Sequence, residues 1–217
     1  MTLPLDEKLA QVGTADLVDA MGRLHHHRCH ILDLVSPTPG RVLFGPALTI
    51  SYFPACNTRL EAGRYNFARI FYEATGDDAE GKVLVLASNG HPDASLGGGT
   101  KLSRVRNLGL AGVLTDGRLR DFDQLAGYDF TTYCRGEAVR WGGDVVTPFQ
   151  ANVPVVVEGV GIFPADYIYA DSAGAVIIPG AQVVEVVEEA VRVSEEDRGF
   201  LESIKREDPG APPWDDR

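Results

Sequence analysis

Apolar positions in the first two dozen residues recur at helical intervals. Leu9, Val12, Leu17, Val18 and Met21 share one side of a helix expected over 6–24, and Gly22 stands near its stop. Val42–Tyr52 then reads as a strand and Leu60–Thr75 as a helix. Lys82–Ala87 is so continuously apolar that it reads as a strand covered on both faces. After the glycines at 97–99, Leu102, Val105 and Leu108 step by three along a short helix, whose cations Lys101, Arg104 and Arg106 lie off that stripe. Gly109 suits its C′ position. Leu110–Thr115 is again an apolar run of strand length, ended by the turn pair Asp116-Gly117. Strands that return through intervening helices argue for parallel pairing.

Beyond Asp121 the pattern shortens. Val145–Pro148 and Val153–Val160 are expected strands, and Tyr167–Ala170 and Ala175–Ile178 flank a turn at Asp171-Ser-Ala-Gly. Over Ala181–Val193 a helix is expected, with Val183, Val184, Val187 and Val191 as a stripe opposite Glu185, Glu188 and Glu189. No Pro/Ser-rich linker or repeat divides the 217 residues, so the expected organisation is one mixed α/β domain over 1–193. Residues 194–217, charged and ending PGAPPWDDR, read as an exposed arm with a neighbouring subunit as its docking partner.

The chemistry concentrates in Gly97–Asp121, GGGTKLSRVRNLGLAGVLTDGRLRD. Three glycines let the backbone approach a ligand, and Thr100 is the expected N-cap. The amides of Gly98, Gly99, Thr100 and Lys101 would receive a carboxylate at the helix N-terminus. Arg120 and Asp121 follow the next strand and turn, at the mouth of the same region. Gly-Gly-Gly-Thr-Lys does not fit a phosphate-binding P-loop, and no Gly-x-Gly-x-x-Gly stands between a strand and a helix, so nucleotide and S-adenosylmethionine binding gain no support.

These residues resemble the RraA-like family, which includes the RNase E inhibitor RraA, the 4-hydroxy-4-methyl-2-oxoglutarate aldolases and chains named demethylmenaquinone methyltransferase. The resemblance rests on the glycine turn, GLAGVLTDGRLRD, TADLVDAM (14–21), FGPALTI (44–50) and PADYIYADSAGAVIIP (164–179). It implies a β/β/α swivelling-domain fold, a homotrimer or hexamer with sites at subunit contacts, and a lyase that cleaves a small 2-oxo acid by retro-aldol reaction or decarboxylation. In that reading Asp121 holds Mg²⁺ or Mn²⁺ with waters completing an octahedron, and Arg120 binds the keto or enolate oxygen through its planar fork. The sequence departs from the family's lyases at Gly99, where they carry an acid that manages protons. It departs again at Gln124, where an acid is frequent, with Asp123 beside it. His91 and Asp93, in the loop before the glycines, are either part of an ordinary turn, Gly90-His91-Pro92-Asp93, or candidate proton-handling groups in its place. The alternative is a non-catalytic regulator that binds a protein partner, as RraA binds RNase E.

Charge and cysteine usage narrow the setting. There are 20 Lys and Arg against 31 Asp and Glu, a net charge of −11, which repels nucleic acid and anionic membrane. The basic helix after Gly99 stands out against this background, either as a solvated helix face or as a positive patch that focuses a small anion. Three scattered cysteines (Cys29, Cys56, Cys134), with no leader and no spanning apolar run, suggest a reducing cytoplasm and thiols without a catalytic role. His25, His26, His27 and His30 with Cys29 invite a zinc reading, but adjacent histidines converge poorly on one ion, and a loop or subunit-contact role is expected instead.

Overall fold

The computed structural model describes residues 4–207. Its elements are α1 (Leu5–Leu9), α2 (Thr14–Leu24), β1 (His30–Ile31), β2 (Leu43–Pro54), α3 (Phe67–Thr75), β3 (Val83–Ala87), β4 (Ser95–Gly97) and α4 (Gly99–Asn107). They continue with β5 (Gly112–Thr115), β6 (Arg118–Leu119), α5 (Phe122–Ala126), β7 (Thr131–Tyr133), β8 (Val146–Ala151), β9 (Val155–Val157), β10 (Val160–Ile162), β11 (Tyr167–Asp171), β12 (Gly174–Ile178) and α6 (Val183–Ile204). The chain forms two compact units, residues 28–183 and the two chain ends on either side of them.

The central unit is built on a sheet ordered β1-β12-β11-β2-β3-β5-β7, with β8 also paired to β2. As the apolar runs predict, β2, β3, β5 and β7 are parallel, and β1, β11 and β12 extend the sheet antiparallel. Alternation along β3 sorts the core. Leu84 and Leu86 pack with Phe67, Phe71, Leu102, Val105 and Leu125 of α3–α5, whereas Val83, Val85 and Ala87 pack with Val155, Val157, Val160 and Ile162 of β9 and β10. All five β3 residues are buried, so helices cover one face of the sheet and a hairpin the other: β/β/α layering.

The central unit corrects three expectations. The stretch 153–160 is not one strand but part of hairpin β9–β10, turning at Glu158 and Gly159, both at positive φ. Helix α3 starts at Phe67 rather than Leu60, because the Asn66 side chain caps it by accepting from Arg69 N at 3.0 Å. Helix α4 starts at Gly99 with Gly98, not Thr100, as N-cap, while Gly109 takes the expected C′ role at φ 65°. There Gly109 N bonds Arg106 O and Leu110 N bonds Val105 O, the paired closure of a Schellman motif.

In the terminal unit the expected helix 6–24 is split. Gly13 is extended and its N–H is taken by Asp16 Oδ2 at 2.8 Å, which starts α2 anew. The valine helix runs on to Ile204, eleven residues past Val193, and its buried residues are Val183, Val186, Val187, Ala190 and Val193; of the expected stripe Val183 and Val187 are buried, while Val184 is exposed. Glu188 and Glu189 accept from Lys8 at 2.6 Å and Arg23 at 3.0 Å, ion pairs that tie the chain ends together. The arm's residues 208–217 lie outside the described residues.

Candidate active site

Two short parallel strands make the site. β4 and β6 pair with Ser95 opposite Arg118 and Gly97 opposite Leu119, so the residues that follow each strand emerge side by side. Gly98 and Gly99 thereby meet Arg120 and Asp121, and Arg120 N donates to Gly97 O at 3.0 Å. Asp121 stands at φ 63°, ψ 48°, a left-handed conformation that aspartate tolerates better than most side chains, as the residue preceding α5. There its Oδ2 accepts from Gly99 N at 3.0 Å, satisfying one of the free amides of α4's first turn. Its Oδ1 makes no hydrogen bond among the described residues, and neither do the N–H groups of Thr100 and Lys101.

Hydroxyls hold the turn in place. Tyr52 donates to Leu96 O at 2.8 Å, Ser95 to Gly97 O at 2.8 Å and Tyr128 to Gly99 O at 2.9 Å. Burial pushes the Tyr52 phenol well above its ordinary value, so it remains a donor.

Ser95, Gly97, Gly98, Thr100, Lys101, Arg120, Asp121 and Trp141 line a cleft of about 310 Å³. A second cleft of about 430 Å³, lined by Glu137, Ala138 and Val139, shares Arg120 and Asp121, so this pair divides the two. Lys101 is exposed as a residue, yet its ammonium is held below the ordinary lysine value by burial first and then by the charges of Arg120 and Arg104. This crowding of cations on an acidic protein favours an anionic ligand.

Of the residues expected from the sequence, Gly98, Thr100, Lys101, Arg120 and Asp121 come together in the first cleft, and Gly99 lies buried behind it. His91 and Asp93 are outside both linings; Asp93 instead accepts from Arg118 Nε at 3.4 Å. Sequence reasoning missed Ser95, Trp141 and Glu137, and Tyr52 and Tyr128 as supports of the turn. Trp141 reaches the cleft through a bridge to Ser95 that no local pattern announces. Glu137 accepts from Phe122 N at 2.9 Å, capping α5 beside Asp121. The basic helix is partly occupied: Lys101 lies over the Phe67 ring at 5.8 Å and Arg106 over Tyr128 at 5.5 Å. Among the described residues no three His, Cys, Asp or Glu gather in a way that could hold a metal ion, the histidine-rich loop included. Cys29 and Cys134 are buried, and burial raises both thiols, Cys134 to about 11, which opposes nucleophilic use.

The donor set at Asp121 is one carboxylate with a free, hard oxygen at an open cleft. That fits Mg²⁺ or Mn²⁺, which keep several waters and need few protein ligands, and does not fit zinc, which demands three or four.

In class, then, this is a three-layer β/β/α protein with a cationic cleft where two parallel strands end. The family model described as RraA-like: Aldolase/RraA matches residues 14–177, and the chain belongs to that family. It is 26% identical to Protein DlpA of Legionella pneumophila over 202 residues, 90% of this chain, and spans only 31% of that protein's length. A putative 4-hydroxy-4-methyl-2-oxoglutarate aldolase of Halalkalibacterium halodurans is 28% identical over 160 residues, 74% of this chain and 70% of that one. Among solved structures, Streptomyces coelicolor RraAS2, described as an unusual member of the RNase ES inhibitor RraA protein family, is similar with a TM-score of 0.75. It is 24% identical, with 93% of this chain and 96% of that one covered, and this shows the shared fold. No helix among the described residues is long and apolar enough to cross a membrane.

Proposed function

We propose that the protein is a divalent-metal-dependent lyase that cleaves a carbon–carbon bond in a small 2-oxo acid, by retro-aldol reaction or decarboxylation. The observation that carries this reading is the convergence, at the ends of β4 and β6, of α4's free amides, the Arg120 guanidinium and the Asp121 carboxylate. Thr100 N–H, Lys101 N–H and the Lys101 ammonium would bind the substrate carboxylate. Arg120 would hold the keto oxygen and stabilise the negative charge that gathers there as the bond breaks. Asp121 would hold Mg²⁺ or Mn²⁺, which supplies Lewis acidity when bound. Trp141 would wall off one side of the cleft. After cleavage the carbon needs a proton, which solvent at the open cleft would supply.

A panel of 2-oxo acids, oxaloacetate included, assayed with Mg²⁺ and with Mn²⁺ and then with EDTA tests the proposal. Metal-dependent turnover of one of them is expected, and EDTA-insensitive turnover or none across the panel overturns it. A second reading, a regulator that binds a protein partner, is favoured by one observation: the family acid at 99 is a glycine, buried against a neutral Gln124. Turnover by the panel would exclude it as the sole role. The same reading of the family includes a homotrimer or hexamer with a pocket completed across subunits.

A further inference from the structure

We propose that Gln124 dictates the glycine at 99 and positions the first turn of α4, so that it sets what the cleft accepts; the last clause rests on the carboxylate reading above. The two neighbouring glycines are needed for different reasons. A Cβ at Gly98 would lie 2.6 Å from Asp121 Oδ2 and 3.1 Å from Arg120 Cβ. A Cβ at Gly99 would meet Gln124 Oε1 and Cδ and come within 2.7 Å of its Cγ. Gly99 has no positive φ, so the backbone there would accept other residues, and the three nearest atoms that a Cβ would meet all belong to the side chain of Gln124. Asp121 and Gln124 are three residues apart, which on the turn leading into α5 puts both side chains against the same end of α4.

Gln124 is tethered. Its Nε2 donates to Tyr128 Oη at 2.8 Å, and that hydroxyl donates to Gly99 O at 2.9 Å. The chain Gln124–Tyr128–Gly99 therefore orients the peptide that precedes Thr100 N–H, one of the amides facing the cleft. A neutral amide takes the place that a side chain at 99 would occupy, leaving Asp121 as the only carboxylate among the described residues that line the first cleft.

Urea unfolding of wild type, Gly99→Ala, Gln124→Ala and the double variant tests the packing. The Gly99→Ala substitution should cost roughly two- to tenfold more in the folding constant in wild type than in Gln124→Ala, the worth of one hydrogen bond. In Gln124→Glu, which keeps the volume, the extra cost should persist. Equal costs in wild type and in Gln124→Ala overturn the proposal. Calorimetric titration with oxalate, a minimal dicarboxylate, reads the positioning. Gln124→Met, which fills the space without an amide, and Tyr128→Phe should both weaken oxalate binding, and Gln124→Glu should weaken it in a way that added salt relieves. Wild-type affinity in Gln124→Met and Tyr128→Phe refutes the positioning role. Should the wild type take up no oxalate, the carboxylate reading of the cleft fails, and the unfolding comparison alone then decides the role of Gln124.

Discussion

Replacing Asp121 separates its chemistry from its backbone role, provided the replacement is chosen from the structure. The residue is left-handed, and its Oδ2 accepts from Gly99 N at 3.0 Å. Alanine loses both features: about 1 kcal/mol for the conformation, and about 1 kcal/mol for a hydrogen bond at an exposed site, discounted for solvent. A loss of about 2 kcal/mol lowers the melting temperature of a chain this size by roughly 4–8 °C, and it would blur any loss of binding. Asparagine tolerates the left-handed region and keeps an acceptor for Gly99 N, while removing the charge. Asp121→Asn should therefore melt within about 2 °C of wild type, yet lose Mn²⁺ binding in calorimetric titration and all metal-supported turnover. If Asp121→Asn bound Mn²⁺ with wild-type affinity, Asp121 would not be the metal ligand. If Asp121→Ala melted like wild type, the two structural contributions argued for it would be wrong.

Arg120→Lys keeps the charge but not the planar fork, so turnover on any active 2-oxo acid should fall at least about tenfold with the melting temperature unchanged; an undiminished rate counts against Arg120 at the keto oxygen. Gly99→Asp alone must displace Gln124, so it should raise oxaloacetate decarboxylation less than Gly99→Asp combined with Gln124→Ala; equal rates in the two would show that Gln124 is no obstacle. Light scattering should find a trimer or hexamer, and a monomer at micromolar concentration would remove the shared-pocket model. Asp116 is buried, which raises its carboxyl above the ordinary 3.8 despite the Ser88 N–H it accepts at 2.6 Å. A raised folded-state value means its contribution is fully present below the unfolded value and is lost as pH rises through the folded one. Asp116→Asn, which retains an acceptor for Ser88 N–H, should therefore gain stability relative to wild type as pH climbs from 3.5 to 7 in urea titrations; a difference that stays flat with pH contradicts this.

How much of this was legible in the sequence depends on how local each signal is. Continuous apolar runs such as 83–87 and 112–115 report burial on both faces, and the parallel core follows from them. The segment Gly97–Asp121 carries its helix stripe, its C′ glycine and its Arg-Asp pair within 25 residues, which is why the anchor residues of the cleft could be named beforehand. What failed was decided by single side chains. Asn66 starts α3 late, Asp16 restarts a helix after Gly13, and Glu158-Gly159 folds one expected strand into two. The valine stripe was half right, with Val183 and Val187 buried but Val184 exposed, for a different reason. In 181–193, where six of thirteen residues are valine, several helical faces look equally apolar, and the buried one is set by what packs against the helix rather than by its own sequence.

Gly99 shows the same limit at the site itself. Read along the chain, a glycine in place of an acid is only a missing group, and the natural worry is that its backbone demands glycine. The structure removes that worry and substitutes another, because φ at 99 is ordinary while Gln124, 25 residues away in sequence, fills the space. Positions 99 and 124 thus share one space: the volume that a side chain on α4 would take at 99 is filled by Gln124 from α5. Any functional account of this cleft has to treat the two positions together, since a carboxylate at 99 meets the side chain of Gln124, whereas one at 124 occupies the space that Gly99 leaves.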